Sequence, residues 1–324
     1  MLPGEQPIRR RHCPSSCARS GETTTPRSPS RARGCRGGSR VTRYPVTASK
    51  GSLVSNSESV RILGDSGPVI VLLPGGAEPV EGFFPGLVEG LRTDPGCRVV
   101  LYDRPGTGAN TTRGSLAGAS AALHTMLREH GLAPAIVVGQ SLGGAAALLL
   151  ARDHPEDVAG LVLLDPSAVN DVKLARATEL MARLAGLAWR IPLLRKAIAS
   201  RLRTQAEKLA DRHEMRPACR AAVVRTAGVD IPRLRDASDG LAELARDFQE
   251  SDLPRLPSVV VTADRTANSR MTSAHRRIAG ALGATVEQWP EADHSVHLTH
   301  PADVLDVCRR ILAMAARQAP DESH

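Results

Sequence analysis

The chain has 324 residues, 42% of them hydrophobic and 23% charged, enough for one enlarged domain with a sizeable core. Its formal charge of +8 raises the prospect of nucleic-acid binding. The distribution argues against it: the first 50 residues hold 11 Lys/Arg against only Glu5 and Glu22, while the rest carries 31 basic and 32 acidic side chains and is close to neutral.

In chain order, residues 1–47 are rich in Arg, Ser, Pro and Gly and have no apolar periodicity. Such a segment cannot bury enough surface to offset its ordering entropy, so it is expected to be disordered. The run Arg9-Arg10-Arg11 is not followed by an apolar stretch long enough for an export signal. A basic arm could hold phosphates without reading sequence, but no nucleic-acid partner is expected. Of the six cysteines, Cys13, Cys17 and Cys35 lie in this tail and Cys97, Cys219 and Cys308 in the body; no CxxC pair occurs. Reduced thiols in a cytoplasmic protein are the expectation. No run of 18 apolar residues exists, so no membrane span is expected.

From about residue 48, short apolar runs alternate with longer amphipathic stretches, the pattern of βαβ units around a mainly parallel, doubly wound sheet. The runs are Val69–Leu73, Arg98–Tyr102, Ala135–Val138, Leu161–Leu164, Ser258–Thr262 and Ala284–Trp289, followed by a helix from about Pro301 to Ala316. The first five stop at loops of Gly, Pro or polar residues, and in a parallel sheet such loops converge on a crevice outside the carboxyl ends of the strands. The expected core is 48–165 with 257–318, with a helical stretch at 166–256 and a disordered end at 319–324. Within that stretch, Leu180, Met181, Leu184, Leu187 and Trp189 are spaced for one apolar face of a helix. Pro192 and Pro217 break the stretch into pieces.

The chemistry concentrates at Gly139-Gln140-Ser141-Leu142-Gly143, a G-x-S-x-G pentapeptide between a strand run and a helical run. A tight strand-to-helix turn exposes the Ser141 hydroxyl in a strained conformation. The flanking glycines avoid collisions, and the helix N-terminus supplies oriented amides for a developing oxyanion. No Lys-Ser/Thr follows and no G-x-G-x-x-G spacing occurs, which argues against a phosphate loop. A hydroxyl needs a base near neutral pH, and histidine is the usual one. Ten histidines are present.

Residues 50–316 resemble the α/β-hydrolase fold superfamily in the order of these motifs, and the resemblance makes 166–256 a helical cap inserted after the sixth strand, its apolar face expected to pack on the core or to wall a substrate pocket. The resemblance implies an oxyanion loop at Pro74-Gly75-Gly76, with Pro where the family usually has His, and amide donors from Gly76 and Leu142. Asp103-Arg104-Pro105-Gly106 resembles a structural loop of the family with no catalytic role. Asp293-His294, with Pro301 seven residues on, is similar to the family's histidine loop and makes His294 the expected base; His297 and His300 read as packing or capping residues beside it. The acid has two candidates. Asp165, after the sixth strand, needs no loop adjustment. Asp264, after the seventh, lies two residues before the place where Thr266 stands for the acid; a Ser-His pair alone is a third arrangement. What the resemblance implies is hydrolysis of a small ester-like substrate (ester, lactone or thioester) by an acyl-enzyme route, with no metal or organic cofactor. A catalytically inactive member of the fold that binds a small molecule or a partner is the alternative.

Overall fold

A computed structural model describes residues 53–57, 59–228 and 230–318. The expectations for 1–47 and 319–324, including Cys13, Cys17 and Cys35, lie outside the described residues. Among the described residues, eight strands form one sheet: β1 (Leu53–Ser57), β2 (Val60–Leu63), β3 (Val69–Leu73), β4 (Arg98–Tyr102), β5 (Ala135–Gln140), β6 (Val158–Leu164), β7 (Ser258–Thr262) and β8 (Thr285–Gln288). Their spatial order is β1-β2-β4-β3-β5-β6-β7-β8. β1 and β2 pair antiparallel at one edge, and β4 to β8 run parallel with β3. This is the mainly parallel α/β architecture that the alternating pattern predicts.

Each central strand reads as a continuous apolar run because both faces are covered. Alternate residues go to opposite sides. Val71, Leu73, Val137, Leu163 and Val260 pack against α2 (Ala119–Glu129), α3 (Leu142–Asp153) and α9 (Arg270–Leu282). Ile70, Leu72, Ile136, Val138, Val162 and Val259 pack against α1 (Leu87–Thr93) and α11 (Pro301–Gln318). In α3, every residue from Leu142 to Ala151 is buried, so the helix is hydrophobic all round. The body cysteines Cys97, Cys219 and Cys308 are free and buried.

Between β6 and β7 lies a helical cap: α4 (Val172–Trp189), α5 (Pro192–Arg212), α6 (Pro217–Thr226), α7 (Ile231–Ser238) and α8 (Leu241–Asp247). Asp171 caps α4 by accepting from the Lys173 and Leu174 amides at 3.0 and 3.1 Å. Pro192 and Pro217 occupy first helical positions, where the missing N–H costs nothing. The expected apolar face of α4 needs correction. Leu180, Met181, Leu184 and Leu187 are exposed, and the buried face is instead Ala175, Ala182 and Gly186. Small residues let α4 approach α7 and α8 closely, and that contact turns the large side chains outward. Among the described residues, no helix is long and apolar enough to cross a membrane.

Candidate active site

β5 runs straight into Ser141, whose φ of 52° and ψ of −117° put a non-glycine residue in a sparsely populated region. The strain has a steric cause. A Cβ on Gly139 would lie 2.4 Å from the Gly143 carbonyl oxygen, and one on Gly143 would lie 2.3 Å from that of Leu73. Only glycines let the strand, the turn and β3 approach this closely. The turn is held by the Ser141 amide donating to the Leu164 carbonyl at 3.1 Å, while the Ser141 carbonyl accepts from Ser167 N at 3.0 Å. The Ser141 hydroxyl is thereby aimed above the sheet at the N-terminus of α3.

The last turn before α11 brings His294 to it. His294 Nε2 lies 2.9 Å from Ser141 Oγ, and Nδ1 lies 2.6 Å from Asp165 Oδ2. A carboxylate facing Nδ1 requires the ring proton there, which leaves Nε2 to accept from the serine hydroxyl. Asp165, 1% exposed, follows β6 with φ 45°. Its Oδ1 accepts from the Ala263 amide at 3.0 Å, and both oxygens accept from the Arg265 guanidinium, Oδ2 at 2.6 Å. Burial opposes its charge, but the hydrogen bonds and charges of Arg265 and His294 win and hold the carboxyl well below the usual range.

Asp264, the other candidate acid, is not brought to His294. It is exposed and accepts from Gln288 Nε2 at 3.1 Å and from the Glu291 amide at 2.9 Å. It braces the approach to the histidine loop from outside. His297 is 3% exposed, and its ring stacks on Phe83 at 4.3 Å. Burial pushes its pKa down to about 3, so the ring is neutral at ordinary pH. His300 pairs with Thr299 Oγ1 at 2.8 Å.

Gly76 and Leu142, the expected amide donors, line one cavity with Ser141. That cavity, about 510 Å³, is walled on the cap side by Leu174, Met181 and Leu234. A second, of about 250 Å³, opens on the other side of Ser141 between Glu78, Phe83, Thr226 and His297. Glu78 is pushed up to about 7 by burial, which outweighs the Arg225 charge; Asp230 adds to the rise.

Three side chains at the site went unread in the sequence. Arg104, 3% exposed, donates to the Pro74 and Gly76 carbonyls at 3.2 and 3.1 Å and so fixes the loop that carries the Gly76 amide. Gln140, inside the pentapeptide, donates through Nε2 to the His294 carbonyl at 2.8 Å. Arg265 grips Asp165. Each joins segments 28 to 154 residues apart, so local patterning carries no signal of the pairing.

Away from this crevice, His124, His154, Glu156 and Asp157 place potential metal-ligand atoms within 4.8 Å of one another. The buried Asp157 is already paired with Arg128 at 2.6 Å and with His124 Nδ1 at 2.6 Å. Its charge is balanced without an ion, and the cluster ties α2 to the end of α3.

The family model described as the alpha/beta hydrolase family matches residues 70–307, and the chain belongs to that family. Hydrolase-type chemistry is the class this membership defines. Among curated proteins, the chain is similar to sn-1-specific diacylglycerol lipase ABHD11 of Mus musculus, with 26% identity over 71% of this chain and 76% of that one. It also matches Lipase LipV of Mycobacterium tuberculosis at 50% identity, but over 50 residues, 15% of this chain and 19% of that protein. Among solved structures, MenH from S. aureus superposes with a TM-score of 0.63 at 14% identity, over 80% of this chain and 100% of that one. At that identity the likeness speaks for the fold alone.

Proposed function

We propose that the chain is a serine hydrolase of ester-like bonds in which Ser141 is the nucleophile, His294 the general base and acid, and Asp165 the orienting acid. The observation that carries this is the continuous line from Ser141 Oγ to His294 Nε2 at 2.9 Å and from His294 Nδ1 to Asp165 at 2.6 Å. A non-catalytic member of the fold has no need of this alignment or of a strained serine at its centre.

In the first half-reaction the Ser141 oxygen attacks the substrate carbonyl as its proton passes to His294 Nε2. Charge collects on the former carbonyl oxygen, where the Gly76 and Leu142 amides donate to it. Collapse of the tetrahedral adduct breaks the bond to the leaving group, which takes the proton from His294 and departs as an alcohol or thiol. Water then enters by the same steps in reverse roles, releasing the acid and restoring the serine. Asp165 stays ionised throughout, because Arg265 and the Ala263 amide hold it so, and it stabilises the imidazolium that forms twice per cycle.

The two cavities suggest how a substrate lies. The larger, walled by aliphatic side chains of α4 and α7, suits an apolar acyl chain; the smaller, with Glu78, Thr226 and His297, suits a small polar leaving group.

Labelling with a fluorophosphonate probe, followed by hydrolysis of p-nitrophenyl esters of rising chain length, tests the assignment. Ser141→Ala and His294→Ala are expected to lose labelling and at least about 10⁴-fold in kcat/KM. Asp165→Asn should fall about 10²- to 10⁴-fold, with Asp264→Asn within a few-fold of wild type. A folded wild type that does not label would sink the hydrolase reading, and a silent Asp165→Asn beside a crippled Asp264→Asn would move the acid.

A further inference from the structure

We infer that the outer face of α4 and the start of α5 is a docking surface for an anionic lipid bilayer, set so that the larger cavity opens beside it.

The outer face of α4 is set by its helical wheel. At about 100° per residue, Leu180, Leu184 and Leu187 fall on one stripe, opposite the buried Ala175, Ala182 and Gly186. The stripe continues past the helix end through Ile191 to Leu193 and Leu194. Leu187 is 61% exposed and Leu193 is 81% exposed. Single exposed leucines need no explanation, but a contiguous run of large aliphatics across two helices does. Among the described residues nothing covers it.

Charge decides what does. Residues 173–203 hold eight Lys/Arg and one acid, Glu179. Arg176, Arg183 and Arg190 recur every seven residues alongside the leucine stripe, and Arg195 and Lys196 follow Leu193 and Leu194 by one or two positions. Among the described residues, no carboxylate pairs with Arg176, Arg190, Arg195, Lys196 or Arg201, in contrast to Arg183 and Arg203. An aliphatic stripe edged by unpaired cations is the pattern of a surface that lies in the interface of an anionic membrane, aliphatics among the acyl chains and cations among the headgroups. A second copy of the same face is disfavoured, because it would set two strongly cationic patches against each other.

Position adds the remaining support. Met181, one residue from Leu180 on the same helix, is exposed and also lines the larger cavity with Ser141. The apolar surface therefore reaches the cavity rim without a polar break on α4, and a docked protein presents that rim to the bilayer. The docking inference does not require the hydrolase reading, since binding and turnover are measured separately.

The test is co-sedimentation of the full chain with vesicles of phosphatidylserine and phosphatidylcholine at about 3:7, against phosphatidylcholine alone. Wild type and Ser141→Ala are expected to bind the anionic vesicles equally, to release with rising salt, and to leave the neutral ones largely unbound. The double substitution Leu187→Ser with Leu193→Ser touches neither cavity; it should keep its circular dichroism and probe labelling while losing at least about tenfold in vesicle affinity. Wild type that binds neither vesicle overturns the proposal. So does a double variant that binds as well as wild type, since the attraction then comes from elsewhere in the chain. Lipid-free self-association of wild type that the double variant abolishes would reassign the face to a contact between copies.

Discussion

The helix behind the serine and the first helix of the cap are both rich in leucine and alanine, yet they use them in opposite ways. In α3 every residue from Leu142 to Ala151 is buried, wedged between the sheet and α2. In α4 the leucines face out and Ala175, Ala182 and Gly186 make the contact. Hydrophobicity alone therefore does not say which side of a helix is down. The layer a helix belongs to does: a helix covered on both sides buries everything, and a cap helix with one neighbouring layer buries the side that lets backbones approach.

The sharpest way to break this contrast is a pair of truncations. Leu148→Ala in α3 should cost about 2–5 kcal/mol of unfolding free energy, because it opens a cavity where the structure cannot collapse. Leu184→Ala in α4 should stay within about 0.5 kcal/mol in the same denaturant titration. A large loss at Leu184 would mean that its face is covered in solution.

A smaller effect tests the core side of the site. Arg265→Gln removes the guanidinium that donates to both carboxylate oxygens of Asp165. With one partner fewer to hold the carboxylate in place, kcat/KM should fall about tenfold, less than the loss at Asp165→Asn. An unchanged kcat/KM would reduce Arg265 to packing.

The smallest effect lies at the seam between core and cap, where Glu78 feels Arg225 and Asp230 of the cap. Its folded pKa is raised from 4.5 to about 7. Below pH 4.5 the carboxyl is neutral whether the chain is folded or not. As pH rises through about 7 the unfolded chain is already ionised while the folded one resists, so stability declines across this window. The Glu78→Gln melting temperature should be flatter than that of wild type between these two values. An identical pH dependence would show that the seam admits water freely.

Much of this arrangement is legible in the sequence because buried parallel strands leave near-continuous apolar runs; Val69–Leu73 and Ser258–Thr262 coincide with β3 and β7 residue for residue. The antiparallel edge was not legible. Val60-Arg61-Ile62-Leu63 alternates between buried and partly exposed, and so short an alternation is indistinguishable from a loop. At the site, the pentapeptide announces Ser141 because its glycines answer to a local steric demand. The two acids could not be separated by spacing, since the outcome turns on which strand end bends inward. Asp165 does so with φ 45°, and Asp264 is tied outward by Gln288 and Glu291. The large α4 residues marked an amphipathic helix correctly and misled about its orientation. The seven-residue spacing of Ala175 and Ala182, with Gly186 one turn on, was the overlooked sign.

Gln140 holds the histidine by its main-chain carbonyl and leaves both ring nitrogens to Asp165 and Ser141. In the proposed cycle the imidazole must serve a serine, then a leaving group, then a water, at slightly different places. A tether at the backbone works as a pivot: the ring can tilt among three clients without the segment that carries it moving, and the amide of position 140 becomes the fulcrum of a two-stroke cycle.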